Sequence, residues 1–172
     1  MPRSYRMLIT RGGSNAPVYA TRDVFDSTIE IYDSDGKLVF FDPNANTDYC
    51  YGYTGGILAE GKFSGVWGTR LDNNKKALFI GRHGSIKTLA DWGGRNIELT
   101  SLVPNKNHNW KTIIKSVLWH GDNRIGGGSH GCQTSLPDHW RRACDLFHDG
   151  DQFDIELVRN PAWKAPKQYQ EG

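Results

Sequence analysis

Cysteine is scarce in this chain, with Cys50, Cys132 and Cys144 the full set in 172 residues and no CxxC pair among them. That excludes a disulfide framework and the usual zinc-binding spacings. Long apolar runs are missing too. No stretch approaches the ~18 residues of a membrane span, and the opening MPRSYRMLITR has no apolar core of about 7–15 residues such as a secretory signal carries. An excess of one charge is also absent: the formal net charge is +2 and the pI near 8.4. Lys75-Lys76 and Arg141-Arg142 are short pairs rather than a basic stripe, which argues against nucleic acid as a partner. There is no internal repeat, no low-complexity tract and no linker, so residues 1–172 are read as one domain, with 164–172 a polar, fraying tail.

Glycine and aromatic residues are plentiful: 20 Gly, six Trp and seven Tyr. They point to a loop-rich, mainly β protein with one or two short helices. The pattern predicts strands at 5–10, 49–54, 61–69, 76–81, 97–103, 111–120 and 152–158, and a hairpin over 28–41 turning at Asp33-Ser34-Asp35-Gly36. The glycines of 61–69 mark close backbone approach. Residues 42–48, 91–96 and 104–109 read as loop or turn. Trp140, Ala143, Cys144 and Phe147 recur at helical spacing. That helix is expected to start with Ser135 as N-cap and Asp138 completing an approximate capping box, and to end near Asp149-Gly150.

The chemistry concentrates in Trp119–Thr134, WHGDNRIGGGSHGCQT. His120 ends an apolar run, and Cys132 follows a linker with glycines at 121, 126, 127, 128 and 131. A thiol is a useful nucleophile only as a thiolate, so it needs a base within reach, and such a linker can fold back to bring His120 to Cys132. A helix starting at Ser135 would place Cys132 just before a helix N-terminus, where unpaired amides favour a thiolate. The amides around Gly131 and Cys132 could bind an oxyanion, and the sequence forces no Asp or Asn to orient the imidazole, although Asp122 and Asn123 are near. The bland readings stay beside this one. Cys50 is a half-buried strand residue and Cys144 a core residue. His83 and His108 are solvated, and His148 lies near a helix C-terminus. His120, His130, Cys132, His139 and Cys144 could be imagined around zinc, but their spacing fits no standard site, so no metal and no cofactor is expected.

These residues resemble a known family. His120-Gly121-x-Asn123 followed by Ser129-His130-Gly131-Cys132 is similar to the signature of the L,D-transpeptidase (YkuD-like) catalytic domain. So is the order strand, histidine, glycine loop, cysteine, helix, strand. GGILAEGKF (55–63) and PDHWRRACDLFHDGDQFDIELV (137–158) extend the resemblance over roughly residues 55–158. It implies a β-sandwich-like fold and an acyl-enzyme mechanism on peptidoglycan stem peptides. Cys132 is then the nucleophile, His120 the general base, and Gly121 the residue whose carbonyl orients the imidazole. Gly131 and Cys132 line the oxyanion hole, and Ser129, His130 and Asn123 shape the substrate pocket. The chain departs from the family in a shorter His-to-Cys loop and in Gln133-Thr134 after the cysteine, where an apolar residue and then Arg or Asn are common.

The function expected is L,D-transpeptidase or L,D-carboxypeptidase, depending on whether an amine or water resolves the thioester. Its site of action is the cell wall or periplasm. The expected delivery is by a leaderless or phage-type route, or from a chain whose leader has been trimmed, with room for an immunity or secretion partner. The alternative from another class is a non-catalytic wall-binding or structural module that keeps the fold. A papain-like peptidase would place Cys before His, the reverse of the order here.

Overall fold

A computed structural model describes residues 1–20, 23–47, 57–71, 73–92, 98–100, 113–115, 117–121 and 132–163. In chain order the strands are β1 (Ser4–Arg11), β2 (Val18–Ala20), β3 (Asp23–Phe25), β4 (Ser27–Tyr32), β5 (Leu38–Asn46), β6 (Gly61–Thr69) and β7 (Lys76–Arg82). After the one-turn helix α1 (Leu89–Trp92) come β8 (Glu98–Thr100), β9 (Ile113–Lys115), β10 (Leu118–Gly121) and β11 (Gln133–Ser135). Helix α2 (Pro137–Leu146) and β12 (Gln152–Arg159) complete the order.

The protein is mainly β with two short helices among the described residues, as the composition indicates. Eight strands close into a barrel in the order β1-β12-β6-β7-β10-β11-β5-β4, where stacked sheets were the expectation. β2 pairs with β3, and β8 with β9, as two small separate sheets. Within the barrel two neighbouring pairs are parallel, β1 with β12 and β10 with β11, and the others are antiparallel.

Strand alternation sorts the side chains into two cores. The larger core takes Met7 and Ile9 of β1, Ile29 and Ile31 of β4, Trp67 of β6, Leu78 and Ile80 of β7, and Trp119 of β10. Helix α2 contributes Ala143, with Phe147 just beyond its end, and Trp140 and Cys144 pack on the same cluster. This is the face expected from the helical spacing. Trp140 lies 5.2 Å from Trp67 and 5.1 Å from Trp119, ring centroid to centroid, and Phe147 lies 5.3 Å from Trp67. Such tilted and edge-on aromatic contacts add directional preference to the area they bury. The second, smaller core gathers Val66, Ala77, Phe79, Ile86 and Leu118, with Leu89 and Trp92 of α1 and Cys132 packed against it. α1 comes so close to β6 that a Cβ at Gly68 would lie 2.4 Å from a Leu89 methyl, which is the close approach its glycines suggested.

Five local expectations change. α2 ends at Leu146 rather than near Asp149-Gly150, with Phe147 as its C-cap. β5 runs on through Asp42-Pro43-Asn44-Ala45-Asn46, a stretch whose composition reads as loop, because Ala45 and Asn46 pair with Ser135 and Thr134 of β11. α1 covers Asp91 and Trp92, the start of an expected loop. The apolar run ending at His120 is two strands: β9 pairs with β8, whereas β10 joins the barrel beside β7, and Val117 O accepts from Ile80 N at 3.1 Å as the chain changes partner. Ser135 does not cap α2. It belongs to β11, and Leu136, held extended before Pro137, is the N-cap without a side-chain hydrogen bond. The expected strand at 49–54, the turn at 104–109, the tail at 164–172, Cys50 and His108 lie outside the described residues; His83 is exposed.

Asp151 joins three parts of the frame. Its buried carboxylate accepts from Arg3 N at 3.1 Å, Arg3 Nη2 at 2.8 Å and His148 N at 2.9 Å, and its carbonyl accepts from Trp67 N. Burial alone would raise its pKa, but the hydrogen bonds from Arg3 and His148 outweigh burial and hold it below the ordinary carboxylate value. A lowered pKa gives stability that is present above the ordinary carboxylate range and lost as pH falls through the folded value. Asp151→Ala should therefore lower stability by about 1.5–3 kcal/mol at neutral pH, with the deficit shrinking as thermal melts are taken toward about pH 3. A deficit of the same size at both ends would show that packing, not the carboxylate, is at work.

Candidate active site

The pairing of β10 with β11 positions the candidate base and brings the candidate nucleophile next to it. Trp119 is opposite Gln133, His120 opposite Thr134 and Gly121 opposite Ser135 in a parallel register. A parallel pair needs a return of about a dozen residues, which accounts for the length of the segment between His120 and Cys132. Trp119 faces the larger core and Leu118 the smaller one, so alternation turns His120 to the same outer face as Leu118. On β11, Ser135 reaches Trp119 and points inward, so Thr134 points outward, as does Cys132, which packs against the smaller core. Cys132 immediately precedes β11 and lies beside Leu118 of β10, on the smaller core and two residues from His120 along that strand. If the extended spacing of β11 continues to Cys132, its Cα is about 8 Å from that of His120, a separation an imidazole and a thiol can bridge.

His120 is half-buried and oriented. Its Nδ1 lies 2.8 Å from the carbonyl oxygen of Gly121. A ring nitrogen facing a carbonyl carries the proton, so Nδ1–H donates and Nε2 is the basic nitrogen. Gly121 is held from its other side by α2, since a Cβ there would lie 2.5 Å from Trp140 Cδ1. The helix thereby presses on the strand whose carbonyl sets the ring. Gly121→Ala must move Trp140 or the strand; the expected result is a stability loss of about 1–3 kcal/mol together with a shifted His120 imidazole resonance in NMR. An unmoved resonance in the folded variant would separate Gly121 from the ring's orientation.

Cys132 is half-buried, and its Sγ accepts from Leu118 N at 3.4 Å. Three residues of β11 and Leu136 stand between it and α2, so the thiol is not at the helix N-terminus that the sequence suggested. Burial pushes the thiol above its ordinary value; the Leu118 amide and the Arg70 charge pull the other way without overcoming it. A raised thiol pKa disfavours a resting thiolate. Alkylation of Cys132 by iodoacetamide, followed by peptide mass mapping, should climb with pH through the alkaline range with no plateau below neutrality. A plateau in acid would reveal a preformed thiolate–imidazolium pair.

Behind the pair lies a polar network that sequence reading missed. Trp119 Nε1 donates to Ser135 Oγ at 2.9 Å, and Ser135 Oγ donates to Asp42 Oδ2 at 2.5 Å. Asn44 N donates to Asp42 Oδ1 at 2.9 Å, and His139 Nε2 stands 3.8 Å from the same oxygen. Asp42, Ser135 and Trp119 are fully buried. Burial raises the Asp42 pKa, opposed by the Ser135 and Asn44 hydrogen bonds and, more weakly, by the nearby Arg142 charge. The network ties β5, β10 and β11 together. Its only trace in the sequence was a Ser assigned to a cap and an Asp assigned to a loop.

The remaining expected residues divide cleanly. Asn123, Ser129, His130 and Gly131, and with Gly131 half of the expected oxyanion hole, lie outside the described residues, as does Asp122. His139 turns to Asp42 and Arg142, and Cys144 packs on the larger core, both away from the smaller core that holds Cys132. Among the described residues no three His, Cys, Asp or Glu side chains gather in a way that would hold a metal, and no helix is long and apolar enough to cross a membrane. Comparison with family models, curated proteins and solved structures yields no match for this chain.

Proposed function

We propose that this protein is a cysteine acyl-transfer enzyme acting on peptidoglycan stem peptides, an L,D-transpeptidase or L,D-carboxypeptidase on a fold of that family's kind. The observation that carries the reading is that Cys132 Sγ meets the Leu118 amide of β10, the strand whose His120 is oriented by the Gly121 carbonyl. The motif HGDN…SHGC supplies the substrate class through its resemblance to the family.

The chemistry follows from the protonation states. As Cys132 Sγ attacks the carbonyl carbon of the L-centre residue linked to D-Ala, its proton passes to His120 Nε2 and the carbonyl π electrons move to oxygen. When the tetrahedral intermediate collapses, the C–N bond breaks, the imidazolium gives its proton to the departing amine of D-Ala, and a Cys132 thioester remains. An acceptor amine or water then attacks the thioester and loses its proton to His120. Sulfur leaves and is reprotonated. Gly121 O stabilises the imidazolium by accepting from Nδ1–H throughout.

The apolar packing of Cys132 favours a second reading, a wall-binding module in which the thiol is merely a small buried side chain. Incubation with purified muropeptides separates the two. The enzyme reading expects release of D-Ala or a new cross-link with the native protein and a loss of at least 1,000-fold, on the order of a nucleophile's contribution, in Cys132→Ala. Cys144→Ala should lower the melting temperature and leave turnover per folded molecule unchanged, since Cys144 packs on the larger core. Turnover surviving in Cys132→Ala would remove the nucleophile assignment.

A further inference from the structure

The residues on either side of His120 lead through one serine to one buried carboxylate. Gly121, whose carbonyl accepts from the imidazole, stands opposite Ser135 in the β10–β11 register. Trp119 donates its indole Nε1–H to Ser135 Oγ at 2.9 Å. An indole nitrogen only donates, so Ser135 Oγ accepts there and its own proton goes to Asp42 Oδ2. Asp42 lies ahead of residues 55–158, so the resemblance to the L,D-transpeptidase domain assigns it no role, and the acyl-transfer steps above do not use it.

The same carboxylate faces the helix that presses on Gly121. Asp42 Oδ1 accepts from Asn44 N, and His139 Nε2 of α2 stands 3.8 Å from it. Arg142 Nη2 lies 2.9 Å from His139 Nδ1. A guanidinium has no acceptor, so Nδ1 accepts and the ring proton is on Nε2, toward Asp42. Trp140, the next residue on α2, is the one a Cβ at Gly121 would strike. Among the described residues, His139 and Arg142 are the titratable and charged groups that face Asp42. β4 places Ile29 opposite it, β11 presents Ser135, and β10 reaches it only through Trp119 and that serine. Both carboxyl oxygens are acceptors, the pattern of an ionised group, in a residue with no exposed surface. Burial raises its pKa. A raised value gives stability that is present below the ordinary carboxylate range and lost as pH rises through the folded value, so the charge is kept at a cost to the fold.

We propose that Asp42 is a positioning residue for His120: through Ser135 its carboxylate fixes the Trp119 indole and the strand pair that holds the Gly121 carbonyl against the imidazole. Its effect on turnover rests on the acyl-transfer reading above; its effect on the ring does not. Stability does not account for the carboxylate, because asparagine has the same shape and no charge to bury. What asparagine lacks is a second acceptor oxygen. With its oxygen toward Ser135, its NH2 group meets the Asn44 amide; turned over, it leaves the Ser135 proton without an acceptor. Either way one link of the chain is lost, and the imidazole is no longer held to one tautomer.

Asp42→Asn and Ser135→Ala test this beside Asp151→Ala, a control that weakens the frame through hydrogen bonds to Arg3, His148 and Trp67 instead. NMR of protein carrying isotope-labelled histidine follows the His120 ring nitrogens, with His120→Gln to assign them. D-Ala release from a disaccharide-tetrapeptide muropeptide gives kcat and KM, and thermal melts give stability. In native protein and in Asp151→Ala the Nδ1–H form should dominate once the ring is neutral. In Asp42→Asn and Ser135→Ala the two tautomers should mix, with kcat down about tenfold or more and KM within about twofold of native. Asp42→Asn should nonetheless melt above Asp151→Ala.

A native ring tautomer in both network variants would overturn the proposal, whatever their activity. So would equal mixing in Asp151→Ala, since the ring would then be reporting a general loosening. Failure of both network variants to fold beside a folded Asp151→Ala would overturn it as well, because the chain would then be serving the fold. A native protein that never releases D-Ala would sink the acyl-enzyme reading while leaving Asp42 decided by the tautomer.

Discussion

The parallel pairing of β10 with β11 is the constraint on which everything else depends. It is short, with three residue pairs in register, and short parallel ladders are weak. What holds it is the buried bond chain from the Trp119 indole through Ser135 to Asp42, which crosses both strands and reaches β5. A one-residue slip would reverse the faces of His120, Thr134 and Cys132, and would leave Ser135 and Asp42 unpaired inside the barrel. The network costs desolvation of a carboxylate, which its raised pKa reflects, and in return it specifies one register. α2 adds a second hold from the far side, because Trp140 packs against Gly121, the residue whose carbonyl orients the imidazole.

That arrangement shapes the chemistry proposed for the site. Burial against apolar side chains disfavours the Cys132 thiolate, and the Leu118 amide and the Arg70 charge offset that only in part. Reactivity must then come from proton transfer to a base already held in the right tautomer, which is what the Gly121 carbonyl provides for His120.

Much of the frame was legible in the sequence. Alternation located β1, the β4–β5 hairpin, β6, β7 and β12, and helical spacing located the buried face of α2. The candidate pair, His120 and Cys132, was picked out by a glycine-rich context that few structural segments have. What was not legible shares one cause. Gln133-Thr134-Ser135 and Asp42–Asn46 are strand segments whose buried positions are polar apart from the small Ala45, so neither shows apolar alternation, and composition alone assigns them to a cap and a loop. The helix-dipole argument for Cys132 failed with them, since it depended on missing β11. Thr134 was visible as a departure from the related motif, but its neighbours became known only once β11 and its register were. Closure of the sheet into a barrel depends on β11 bridging β10 and β5, and so escaped the sequence for the same reason.

The central claim is that Cys132 forms a covalent acyl-enzyme with His120 as its base. Intact-mass spectrometry of the native protein quenched in acid during turnover of a tetrapeptide muropeptide tests it directly, with peptide mapping to locate any adduct. The account predicts a mass gain equal to the muropeptide less D-Ala, mapped to Cys132, absent in Cys132→Ala and strongly reduced in His120→Ala. An adduct mapped to another residue, or D-Ala release at native rate from Cys132→Ala, would contradict it.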